Sequence, residues 1–244
     1  MSNKIMALRK RLQTETIRGI FVKSRDSNMT KAATIAGMDF VIVDFEHGSH
    51  SMADLQALVY AAGAMPVIAR IKTNDQISNA LDAGAAGVQI PNIDNAAAAN
   101  EVVACACFSR TRGLCKYTPA AAFGTRDVAQ YTSTPPIVIV QIESQTGVSN
   151  CEDILGTGIT AVFVGPYDLS RSYSVPGQVT DINVQSAIAH VATQCVTRNM
   201  CCGIYADDEK TFRNVTNMGY RYIACGVDMG IYTQACKGIA AWKP

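Results

Sequence analysis

The sequence predicts a single α/β domain over residues 1–244, a (β/α)8 TIM barrel with a parallel eight-stranded core. Three observations predict it. Eight short apolar, β-branched runs alternate with longer helix-compatible stretches. Several of those runs are almost continuously apolar, as strands covered on both faces are. The length of 244 residues, with 48% hydrophobic content, matches the roughly 250 residues such a barrel takes as one unit. A doubly wound open sheet would call for G-x-G-x-x-G after the first strand, and no such motif is present.

In chain order the predicted strands are 19–22, 40–44, 67–70, 87–90, 137–142, 161–164, 202–205 and 222–225. The helix over 52–62 opens at Ser51, with Asp54 three positions on, a capping-box spacing. The helix over 76–83 stops at Gly84, a C-cap residue. The stretch 96–106 is alanine-rich and a strong helix former. Two more helices are expected over 183–198 and 208–218, the second ending at Gly219. The stretch 109–134, between the fourth and fifth strands, is too long for a simple connector and is expected to be a functional loop with a short helix.

Composition excludes several functions. The formal net charge is +1, which gives no field to steer nucleic acid or an anionic membrane. No apolar run reaches the roughly 20 residues that span a bilayer. The first 16 residues are polar and lack the apolar core of a signal peptide, so a cytoplasmic location is expected. The nine cysteines form no C-x-x-C pair and do not cluster with histidine at zinc spacing. They are expected to be reduced and mostly buried. Gly156-Thr157-Gly158 lacks phosphate-loop spacing and reads as a turn.

Chemistry in this fold sits where strands end. The second strand ends in Asp44-Phe45-Glu46-His47, the third at Arg70, and the fifth in Gln141-Ile142-Glu143; the sixth runs into Gly165-Pro166-Tyr167-Asp168-Leu169-Ser170. Glu143 and Asp168 offer hard oxygens from neighbouring strands, which suit Mg²⁺ (or Mn²⁺ or Co²⁺) with positions left for water and substrate. An ion pair with Arg70 is the structural alternative. Gln141 shares a strand face with Glu143 and can order a ligand there. Arg70 carries a fork of donors suited to a developing enolate oxygen. His47 can move a proton near neutral pH, and Asp44 can fix its tautomer; capping the next helix is the alternative. Glu46 is expected to form an ion pair in the barrel mouth, and His50 and His190 are read as structural. Backbone N–H groups in the turn after the sixth strand can grip a carboxylate. Lys72, just past Arg70, is the one lysine identified near a strand end.

Taken together, these residues resemble the HpcH/HpaI aldolase family, the metal-dependent class II pyruvate aldolases. The resemblance runs from about residue 37 to about 228. It rests on Asp44-Phe45-Glu46-His47, the 66–70 run ending at Arg70, Leu81-Asp82-Ala83-Gly84-Ala85, Ile90-Pro91, Arg112-Gly113, Gln141-Ile142-Glu143, the 163–170 run and Gly226-Val227-Asp228, in order. It implies that Glu143 and Asp168 ligate the metal and that Arg70 binds the keto oxygen of a 2-oxo acid. It implies that His47, helped by Asp44, is the acid–base residue and that Gln141 supports the bound substrate. The backbone over Gly165, Pro166, Tyr167 and Asp168 would take the substrate carboxylate. Asp82 would reach a neighbouring subunit's site in a hexamer built as a trimer of dimers. The implied reaction cleaves a 4-hydroxy-2-oxo acid to pyruvate and an aldehyde through a metal-stabilised enolate. The alternative is an oxaloacetate decarboxylase or a macrophomate-synthase-like enzyme using the same enolate. Tyr167 departs from the family, which usually has a small residue there.

Overall fold

The computed structural model describes residues 2–243. Eight parallel strands close into a barrel in chain order: β1 Ile17–Val22, β2 Phe40–Asp44, β3 Val67–Arg70, β4 Gly87–Ile90, β5 Ile137–Ile142, β6 Ala161–Val164, β7 Cys201–Tyr205 and β8 Tyr222–Val227. Every predicted strand is present, and bounds differ only at β1, β7 and β8. Around them lie α1 Ser2–Thr14, α2 Ser27–Ile35, α3 Met52–Ala62, α4 Ile77–Asp82, α5 Ala96–Ala106, α6 Val128–Ser133, α7 Gln145–Ser149, α8 Cys151–Leu155, α9 Pro166–Ser172, α10 Ile182–Thr197, α11 Glu209–Asn217 and α12 Asp228–Ala240.

The local signals act as expected. Ser51 and Asp54 form the full capping box of α3. Gly84 and Gly219 follow their helices at φ 105° and φ 100°, a backbone that a β-carbon disfavours. The helix expected from residue 76 opens instead with a 3₁₀ turn at Asn74–Gln76 before α4.

Two packing layers hold the barrel. Inside it, Phe40 stacks on Tyr222 at 4.2 Å, and Gly19 and Gly203 leave room for those two rings. Outside it, apolar side chains such as Val41, Val67 and Val140 meet Leu55, Ile154 and Val191 of the helices. Helix α1 has no counterpart in the expected elements. Its Ile5, Leu8 and Leu12 share one face and join the barrel's interior cluster, closing its N-terminal end.

The stretch 109–134 needs correcting. It follows α5 and precedes β5, so it is an αβ connection at the N-terminal end of the barrel, away from the strand ends. It holds a 3₁₀ turn, Pro119–Gly124, as well as α6. Arg112 anchors it: the buried guanidinium pairs with Asp82 at 2.6 Å, donates to the Tyr131 hydroxyl at 3.0 Å, and lies 4.1 Å over the Phe108 ring. All nine cysteines are free, as expected, but only Cys151, Cys195, Cys201 and Cys202 are buried, fewer than expected. Among the described residues no helix is long and apolar enough to cross a membrane.

Candidate active site

A cavity of about 300 Å³ opens at the C-terminal ends of the strands. It brings together Arg70, Gln141, Glu143, Gly165, Pro166, Tyr167 and Asp168. The register explains the first contact. Asp44 and Arg70 are partners across β2 and β3, so their side chains share a face. Arg70 Nε and Nη2 donate to the two Asp44 oxygens at 2.9 and 2.8 Å, a bidentate pair. Its Nη1 lies 3.2 Å from Glu46, which takes the expected ion-pair role. The Phe21 ring sits 4.6 Å beneath the guanidinium. Burial pushes the Asp44 carboxyl up, but the Arg70 bond and charge, the His47 amide and Lys23 outweigh it and hold it below the usual carboxylate range.

That geometry corrects the expected Asp44–His47 pairing. Asp44 Oδ1 accepts the backbone N–H groups of Glu46 and His47 at 3.1 and 3.2 Å. The carboxylate near the imidazole is Glu46, 3.9 Å from Nε2. His47 is exposed and does not line the cavity. Its neighbour His50 is structural: its Nε2 meets the Val22 carbonyl oxygen at 3.1 Å. His190 lies on the exposed face of α10.

Glu143 is 5% exposed. Its Oε2 accepts the Asn92 N–H at 3.0 Å, and its Oε1 accepts a short bond from Gln141 Nε2. Behind Gln141 stands a buried relay. Gln89 Nε2 donates to Gln141 Oε1 at 2.6 Å, and the Tyr222 hydroxyl donates to Gln89 Oε1 at 3.3 Å. Gln141 therefore orients Glu143, and its amide is spent on that task. Burial, and then the nearby Asp168 and Glu46 charges, push the Glu143 carboxyl up to about 7 against the Asn92 amide. A β-carbon on Gly165 would collide with Glu143 Oε1, so the glycine makes the space the carboxylate occupies.

Asp168 stands in the first turn of α9, half exposed, with Arg171 Nε at 3.4 Å. The first intrahelical bond there runs from the Leu169 N–H to Gly165 at 2.9 Å, so the Tyr167 and Asp168 amides precede it. The Tyr167 hydroxyl donates to Asp207 at 2.9 Å. Asp82 is at the other end of the barrel, engaged by Arg112 and Tyr131. Glu143 and Asp168 form no ion pair with Arg70. Among the described residues no three His, Cys, Asp or Glu side chains converge as a metal cage.

The sequence reading missed several lining or supporting residues. Lys23, Tyr205 and Asp207 line the cavity, while Lys72, the lysine noted past Arg70, is exposed and does not. Lys23 lies one position past β1 and was open to detection by the strand-end rule. Gln89 was also detectable, as the one polar residue in an apolar strand.

Comparison with known proteins agrees with this architecture. A profile of the HpcH/HpaI aldolase/citrate lyase family matches residues 18–235. The chain is 29% identical over 244 residues to a hydroxypyruvate/pyruvate aldolase of Paraburkholderia phytofirmans, covering 94% of each chain. It is 30% identical to a 2-keto-3-deoxy-L-rhamnonate aldolase of Klebsiella pneumoniae, covering 92% of this chain and 87% of that one. A solved family member from Burkholderia cenocepacia superposes with a TM-score of 0.91 at 29% identity, covering 96% of this chain and 97% of that one. The chain belongs to the HpcH/HpaI aldolase/citrate lyase family and is a carbon–carbon lyase.

Proposed function

We propose that this protein is a divalent-metal-dependent class II aldolase that cleaves a 4-hydroxy-2-oxo acid into pyruvate and an aldehyde. One observation carries the reading: Glu143 and Asp168 face the same cavity as the clamped Arg70 guanidinium. The aldolase names of the two relatives support it.

The donor set fits a hard cation. Glu143 is buried beside two other carboxylates with no cation paired to it, which is why its proton is retained to about 7. Two carboxylates suit Mg²⁺, or Mn²⁺ or Co²⁺, whose remaining positions go to water and substrate. Glu143 and Asp168 would hold the ion, which when bound supplies Lewis-acid polarisation of the 2-oxo acid.

The chain's own groups do the rest. The Tyr167 and Asp168 amides receive the substrate carboxylate. Arg70 turns its unused N–H groups to the keto oxygen, where negative charge grows. His47, exposed with Glu46 at 3.9 Å, takes the proton of the 4-hydroxyl. The C3–C4 bond then breaks, the aldehyde leaves, and the electron pair passes to the enolate held by Arg70. Return of that proton from His47 to C3 gives pyruvate and restores the free imidazole. Assembly as a hexamer, a trimer of dimers, is part of the proposal; the exposed apolar side chains Ile231, Tyr232 and Ile239 of α12 support it.

A second reading is favoured by the position of His47 outside the cavity lining. Decarboxylation of oxaloacetate yields the same enolate and needs no proton transfer on an aldehyde. Metal-loaded enzyme given a 4-hydroxy-2-oxo diacid and oxaloacetate separately tests the two. Aldehyde release supports the aldolase, whereas turnover of oxaloacetate alone supports the second reading. Full activity in excess EDTA would overturn the metal assignment.

A further inference from the structure

The closed end of the barrel gathers positive charge around a second, much smaller cavity. Its volume is about 20 Å³, and Arg112 and Arg126 of the 109–134 connection both line it. The rest of the wall is largely apolar, with Ile5 of α1, Leu81, Ala85 and Ala120.

Each arginine has spent only part of its donor fork. Arg112 Nη2 donates to Asp82 at 2.6 Å and to the Tyr131 hydroxyl at 3.0 Å. Arg126 Nη1 donates to the Ala120 carbonyl oxygen at 3.2 Å, and its guanidinium lies 5.1 Å over the Tyr131 ring. Arg112 Nε and Arg126 Nη2 are buried, and neither has an acceptor among the described residues. The Arg112 side chain is 4% exposed, so bulk solvent does not serve that donor. A buried N–H on a charged group is costly to leave unpaired.

The charges do not balance either. Asp82 pairs with Arg112. Burial pushes the Arg126 guanidinium below its ordinary range, and only the Tyr131 hydroxyl opposes that. Arg9 of α1 adds a third cation beside the cavity. It donates to the Pro135 and Pro136 carbonyl oxygens at 3.3 and 2.9 Å, and Pro136 is part of the cavity wall. Among the described residues neither Arg9 nor Arg126 pairs with a carboxylate, so three guanidiniums stand against one acid. A water molecule would accept the two N–H groups but leave that excess uncompensated. The volume holds a single water-sized occupant, which shuts out phosphates and carboxylic acids and leaves a one-atom anion.

We propose that this cavity is a structural halide site, in which one chloride ion accepts the Arg112 Nε–H and an Arg126 Nη2–H and ties the 109–134 connection to the closed end of the barrel.

Two measurements on the full chain test it. Crystals grown in sodium bromide, measured at the bromine absorption edge, should show an anomalous peak within hydrogen-bond reach of Arg112 Nε and Arg126 Nη2. In solution, the thermal unfolding midpoint at equal ionic strength should be about 2–4 °C higher in sodium chloride than in sodium gluconate, whose anion is too large for the cavity. That is the shift expected from chloride at roughly five times its dissociation constant. Arg126→Met, with a native circular dichroism spectrum, should lose both the peak and the shift; if that variant does not fold, the two wild-type measurements decide alone. A site filled without anomalous signal holds water and overturns the proposal. An anomalous peak with equal midpoints in the two salts is an adventitious ion only and also overturns it. A chloride shift that survives in Arg126→Met places the ion elsewhere, with the same consequence.

Discussion

Glu143 concentrates the chemistry of the cavity in one carboxyl group. Its proton is held from the ordinary 4.5 up to about 7, first by burial. Below pH 4.5 folded and unfolded states both carry that proton, so it costs nothing. Between 4.5 and 7 the folded chain keeps a proton the unfolded chain has lost, and stability falls as pH rises. Above 7 the cost is complete, on the order of 3 kcal/mol. Denaturant titrations in EDTA at pH 5 and pH 8 should show that loss in the wild type and not in Glu143→Gln. Metal affinity should rise with pH up to about 7 and then level, because the ion displaces the proton. Arg70→Ala should lower the rate by on the order of 10²–10³, as loss of an oxyanion donor does; a wild-type rate would remove Arg70 from the reaction. Gly165→Ala should cost metal affinity while the circular dichroism spectrum stays native, because the three atoms nearest the added carbon all belong to the Glu143 side chain. Glu143, Asp168 and Arg70 were legible in the sequence because an ionisable group ending an apolar strand has few other reasons to be there. The duties of Asp44 and Gln141 were not, because both spend their side chains on partners from other strands, Arg70 and Gln89.

At the scale of elements, local rules placed the strands and most helix ends, since strand burial and helix caps are short-range properties. The N-terminal helix α1 is not legible in the sequence, because its Ile5, Leu8 and Leu12 sit among charged neighbours and gain a partner only when the barrel supplies an end to close. Leu8→Ala should destabilise the fold by about 3 kcal/mol in chemical denaturation, the usual cost of a cavity at a fully buried leucine. The long connection at 109–134 stands out in the sequence by its length. Its place after α5 puts it at the closed end of the barrel, where Arg112 ties it to Asp82. Asp82→Ala should cost about 3 kcal/mol, because it strips the carboxylate from a buried guanidinium. A change under about 0.5 kcal/mol in the same titration would show that Tyr131 and Phe108 suffice to hold Arg112.

For the whole molecule, the barrel sets chemistry at one end and closure at the other. Size-exclusion chromatography with light scattering should give the mass of six 26.1 kDa chains if the proposed assembly forms; a single-chain mass would overturn it. The sequence by itself determined the eight-fold strand and helix repeat, the family, and the carboxylates and guanidinium at the strand ends. The repeat and the strand-end charges follow from hydrophobic period and chain position, which are local, and the family from the resemblance that the ordered motifs carry. Only the tertiary structure decided which side chains meet. It turned Asp44 from His47 to Arg70 and set Gln141 behind Glu143. It also sent Asp82 to the far end of the barrel and brought Lys23 to the cavity. The physical reason is barrel closure: it juxtaposes strands far apart in sequence, and the resulting contacts depend on register and burial that no single segment encodes.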